Sequence, residues 1–141
     1  MTMPTPGWVR IEIDPDLPTI VITRDFAAPP DRVRRAWTDP GLAVRWQGSK
    51  HVTTQVDPGR APGGDGRRPV PRLAQTYTYE EVPAATCLET VTFEDLGAGH
   101  TRVTSLSVID TVEHRDQLTS QGLERWVTES YRKLDELLSA G

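Results

Sequence analysis

Two periodicities divide the chain. Between Thr19 and Phe26 the residues are β-branched and alternate, so Ile20 and Ile22, with Phe26 in step, share one face of a strand. Pro29-Pro30-Asp31 then stops the strand and opens a helix, because proline and an acidic residue both suit a first helical turn. Val33, Ala36 and Trp37 form its apolar stripe, and Asp39-Pro40-Gly41 ends it. Leu42, Val44 and Trp46 predict a short helical turn before Gly48, and His51 to Val56 a short strand. Residues 58–71 hold four prolines and four glycines, which predicts a flexible surface loop. No Lys-Ser/Thr pair follows those glycines, so the loop is not a nucleotide cradle.

Strands are predicted at Gln75–Glu80, Cys87–Glu94 and Thr101–Ile109, the last two joined through a glycine-rich hairpin. Val91 and Phe93 alternate with Thr90, Thr92 and Glu94, so the two apolar residues face inward. Pairing Glu94 with Arg102 sets Val103 opposite Phe93. It also brings Ser105 and Ser107 onto the covered face near Glu89, and turns Leu106 and Val108 outward. From Arg115 to Ala140 the residues Leu118, Leu123, Val127, Tyr131, Leu134 and Leu138 recur at helical spacing, predicting one long helix with Gly122 at a bend or close approach. Residues 1–18 read as an N-terminal arm or edge strand.

At 141 residues this is the size of one domain, taken as 1–141. No run of roughly 18 apolar residues is present, so no membrane association is expected. The start, Met1 to Gly7, lacks a signal-peptide pattern, and a single cysteine, Cys87, allows no internal disulfide; a cytoplasmic location is expected. A net charge of −4 argues against a nucleic-acid partner, which needs a concentrated positive face. The basic residues are arginines apart from Lys50 and Lys133.

Several stretches carry a family resemblance. Ile20 to Trp46, with Trp37-Thr38-Asp39-Pro40 and Arg45-Trp46-Gln47-Gly48 at its close, resembles the opening of the SRPBCC (START-like, Bet v 1-like) domains. The nearest branch is the one named for the activator of Hsp90 ATPase homologue 1. Leu88-Glu89-Thr90-Val91-Thr92-Phe93-Glu94-Asp95-Leu96-Gly97 resembles that branch's late hairpin, and Glu129 to Leu138 its final helix. The resemblance implies an α+β helix-grip fold: a bent antiparallel sheet around a long C-terminal helix, with a cavity between them. Two departures stand out. A hairpin usual in the branch is missing from the interval before Tyr77, and Trp126 stands where the family often has a small residue.

The wider superfamily's cavities bind lipids or hormones, and some members catalyse cyclisation, dehydration or hydrolysis of polyketide-like substrates. The resemblance therefore implies an apolar small-molecule ligand and, if the chain is an enzyme, a cyclase- or dehydratase-type step with acid–base help. Glu89, Tyr77 and Tyr79 are the candidates for that help. Glu89 on the inner face would have its carboxyl pushed up by desolvation; the competing expectation is an exposed cross-strand ion pair. Trp37, Trp46, Phe93, Ser105, Ser107, Leu123, Trp126 and Ser130 are the candidate ligand contacts, with ordinary core the competing reading for the aromatic residues. The histidines His51, His100 and His114 show no paired spacing, so neither a metal nor another cofactor is expected. Cys87 reads as a small buried hydrophobe. The alternative to ligand binding is an interaction module, either an Hsp90-ATPase activator or a self-associating domain that forms a homodimer through Leu106 and Val108.

Overall fold

In a computed structural model, residues 9–62 and 69–140 are described. Six strands form one antiparallel sheet: β1 (Arg10–Ile13), β2 (Thr19–Phe26), β3 (Lys50–Pro62), β4 (Pro69–Tyr79), β5 (Val82–Gly97) and β6 (His100–Ile109). Their order across the sheet is β1-β2-β6-β5-β4-β3. Two helices, α1 (Pro30–Thr38) and α2 (Pro40–Ala43), separate β2 from β3, while α3 (Val112–Ser120) and α4 (Leu123–Ser139) follow β6. α4 buries Leu123, Val127, Tyr131, Leu134 and Leu138 on one face, the stripe set by its 3.6-residue period. These residues meet Phe26, Trp37, Phe93 and Val103 in a single core.

The β5–β6 register is the one parity predicts: Glu94 pairs with Arg102, Phe93 with Val103, Val91 with Ser105 and Glu89 with Ser107. Leu106 and Val108 point outward. The hairpin turn takes positive φ at Gly97, Ala98 and Gly99, a conformation that glycine adopts at little cost.

Of the two readings of residues 1–18, an arm or an edge strand, the described part holds the edge strand: β1 pairs along β2 from Arg10↔Thr23 to Ile13↔Ile20. Trp8 lies outside the described residues. Two other expectations are corrected. The predicted loop at 58–71 is in large part strand: Gly59↔Arg72 through Pro62↔Pro69 continue the β3–β4 ladder beyond a bulge at Val56/Gly59. Proline is tolerated there because β3 is an edge strand, and β4 pairs with β5 only from Arg72 onward. β3 and β4 pair directly with each other, and residues 63–68 of that interval are outside the described residues.

The second correction concerns the closing helix, which is two helices. Gly122 adopts φ 116 and breaks the run, a left-handed geometry that other residues enter only with strain. A neighbour missed in the sequence also fixes this end. Arg115 of α3 is buried, and its Nη1 donates to the backbone oxygens of Asp14, at 2.7 Å, and Leu17, at 2.6 Å. It ties the β1–β2 connection to the helices.

Candidate functional site

The inner face of the sheet carries an unusual amount of polarity. Period two places Gln75, Tyr77 and Tyr79 of β4 beside Cys87 and Glu89 of β5 and Ser105 and Ser107 of β6, all buried. Glu89 is the hub. Its Oε1 accepts from Lys50 Nζ at 2.7 Å and from Gln75 Nε2 at 2.5 Å, while its Oε2 accepts from the Ser105 hydroxyl. Gln75 Oε1 in turn accepts from Gln55 at 2.9 Å, and Tyr77 shares a 2.8 Å hydrogen bond with Ser107. The Lys50 ammonium also sits over the Tyr77 ring, 4.3 Å from its centroid.

Electrostatics follow from that wiring. Burial pushes the Glu89 carboxyl up, but the Lys50 charge and three hydrogen bonds outweigh it and hold the group below its ordinary range. The direction is opposite to the one expected of a general acid. Burial, reinforced by the Glu89 charge, pushes the Tyr77 and Tyr79 hydroxyls up, so neither ionises near neutral pH. Burial likewise moves the Cys87 thiol to about 11, which leaves it an inert hydrophobe.

The aromatic candidates separate into two groups. Trp37 packs edge-on against Trp46 at 4.5 Å and Phe93 at 5.4 Å, and Tyr131 closes the cluster against Phe26 at 5.5 Å. Trp46 Nε1 donates to Ala36 O at 3.0 Å. Trp46, Phe93 and Leu123 are therefore core, and Trp37 is core with one edge at a surface concavity. Trp126 differs. It is half-buried, lies on Tyr79 with ring centroids 5.0 Å apart, and borders open space.

Two concavities meet at the corner that joins α2 to β3. One, of about 420 Å3, is lined by Trp37, Thr38, Ala43, Lys50 and Gln55. The other, of about 290 Å3, lies against the first half of α4 and is lined by Ser49, Arg125, Trp126, Ser130 and Lys133. Gln47 and Gly48 belong to both. Gly48 has φ 65, and a Cβ there would stand 3.8 Å from Ser130 Oγ, so any side chain would reach across the seam. Of the predicted residues, the structure brings Trp126 and Ser130 together at this seam. Glu89, Tyr77, Ser105 and Ser107 instead gather in the buried network behind Lys50, which lines the larger concavity.

Sequence reasoning missed Lys50, Gln75, Gln47 and Arg24. Gln75 was recoverable from parity with Tyr77 and Tyr79, and Arg24 from parity with Ile22 and Phe26. Arg24 is buried, donates to Tyr131 O at 3.0 Å and pairs with Asp135 at 3.3 Å, pinning α4 to β2. Lys50 and Gln47 had no local signal.

No family model matches the chain, and no curated protein matches its sequence. Among solved structures, a Rhodobacter sphaeroides protein superimposes with a TM-score of 0.67 at 23% identity, over 94% of this chain and 99% of that one. Protein Ms6760 from Mycobacterium smegmatis gives 0.62 at 22% identity, over 93% and 97% of the two chains. The human StarD13 lipid transfer and protein localization domain gives 0.56 at 14% identity, over 92% and 83%. At such identities the likeness speaks for fold. The six-stranded bent sheet with its C-terminal helix is the α+β helix-grip, START-like architecture. No helix among the described residues is long and apolar enough to cross a membrane.

Proposed function

We propose that this START-like chain binds a small apolar molecule at the seam between the Gln47–Lys50 corner and α4, and that binding rather than proton transfer is its task. The observation that carries the reading is the 290 Å3 concavity walled by half-buried Trp126. It offers a large apolar ring with polar groups at its edge, the usual make-up of a ligand pocket. The StarD13 domain's lipid transfer points the same way by fold analogy alone. A cyclase or dehydratase step would need an acid or base poised near neutrality. Glu89, held ionised by Lys50, and the two buried tyrosines lean away from that role. Tryptophan emission titrated with naphthalene-type and alkyl ligands tests the proposal. A saturable shift that disappears in Trp126→Phe supports it; a flat response to every ligand class ends it.

One observation favours a second reading, self-association. On the outer face Leu88 pairs with Val108, and Leu106 lies between Val21 and Thr90, with threonines as further neighbours and the charged residues Arg10, Glu12, Asp25 and Arg102 toward the β1 edge and the β5–β6 hairpin. Leu88, Leu106 and Val108 are 50%, 41% and 43% exposed. As an interaction module the chain would use this face, with a second copy as the partner, in preference to activating a chaperone ATPase as the Hsp90-activator resemblance implies.

A further inference from the structure

The seam carries more than an apolar wall. Gln47 is only 8% exposed, and its Nε2 is buried without a hydrogen-bond partner among the described residues. A donor left in that state is costly, so a bound acceptor would gain what the free protein forgoes. The residue sits where both concavities meet, and the broad torsion of its terminal amide lets the NH2 group turn toward either.

Charge narrows the ligand class. Arg125 and Lys133 line the smaller concavity, and neither forms an ion pair among the described residues. Glu129, the acid on the same wall, is engaged by Arg132 at 3.0 Å. Lys50 lines the adjoining concavity with its charge already matched by Glu89. The chain's only two lysines thus both stand at this mouth, which is net positive in a protein of net charge −4. A cationic ligand would meet Arg125 and Lys133, and a purely apolar one would leave Gln47 unpaired.

Resting on the small-molecule reading above, we infer that the seam takes a carboxylate-bearing amphiphile. Its apolar body lies against Trp126, and its carboxylate accepts from the Gln47 amide in the field of Arg125 and Lys133.

Calorimetric titration of the full chain at neutral pH and low salt, with octanoate, octanol, octylammonium and octyl phosphate, tests this. Octanoate is expected to bind about tenfold more tightly than octanol, the scale of one charge-assisted hydrogen bond. Gln47→Leu should remove most of that preference, keeping only the share due to Arg125 and Lys133, and leave octanol binding in place. An Arg125→Gln/Lys133→Gln variant, altered only at the mouth, should weaken octanoate about threefold and flatten its salt dependence. This double variant carries the test should Gln47→Leu not fold. Equal affinity for octanoate and octanol overturns the acid assignment while the pocket survives. Preference for octylammonium or octyl phosphate overturns it as well. Binding of no chain at all overturns the assignment and the small-molecule reading together.

Discussion

The two faces of the sheet each carry residues usually kept to the other. On the inner face, under α4, a carboxylate, an ammonium, an amide and three hydroxyls from β3 to β6 sit buried beside Val91, Phe93 and Val103, whereas the outer face of β5 and β6 shows Leu88, Leu106 and Val108 to solvent. The inner network persists because its members supply one another: Glu89 accepts three hydrogen bonds and its charge is met by Lys50. The outer leucines and valine need no partner to stay where they are. Buried polarity is thus tightly coupled, and each piece depends on the next, while the outer apolar residues act independently. Removing one side chain should therefore have very different consequences on the two faces.

The largest effect should come from Lys50→Met. The side chains of Lys50 and Glu89 are only 9% and 4% exposed, so the substitution strands a buried carboxylate. Chemical denaturation should report a loss of about 3–5 kcal/mol, with most of it recovered in a Lys50→Met/Glu89→Met double variant. A single-variant loss below about 1 kcal/mol would mean that water already reaches the pair.

Acid should sharpen the same contrast. Because the folded Glu89 holds its proton less tightly than an unfolded glutamate, its contribution is complete above the usual carboxylate value of about 4.3 and is lost as pH falls through the lower folded value. Thermal melts across this acid range should show wild-type stability dropping, with a shallower slope in the double variant. Equal slopes would remove Glu89 from the account.

The smallest effect on folding should be that of Leu106→Asp on the outer face, within about 0.5 kcal/mol. Its readout is association. Sedimentation of the wild type should show a dimer that the variant lacks, and an unchanged monomer in both would leave the outer patch without a partner.

This contrast was partly legible in the sequence. Once Val91 and Phe93 are set inward, period two fixes the face of every residue in β5 and, through Glu94↔Arg102, the register of β6. That is why Glu89, Ser105 and Ser107 could be placed together. The direction of the Glu89 shift could not, because it depends on Lys50, 39 positions away on a strand that meets it only in three dimensions. Residues 58–71 misled for a different reason. Proline and glycine signal loops on average, yet an edge strand and a strand overhang accept both. Gly122 was seen as a point of bending, but its left-handed geometry, which splits the helix, is invisible to periodicity. The seam itself joins Gln47 and Gly48 to Trp126 and Ser130 across most of the chain, and no local pattern encodes such a meeting.

The central claim is that a small molecule enters beside Trp126 while the core behind it stays closed. A nitrogen–proton correlation spectrum of the full chain, recorded while octanoate is added, tests it most directly. The account predicts saturable movement of the Trp126 indole signal and of the Gln47 side-chain amide, with the Trp46 indole, bonded to Ala36 O, unmoved. Movement of Trp46 without Trp126, or of neither indole with any apolar ligand, would contradict it.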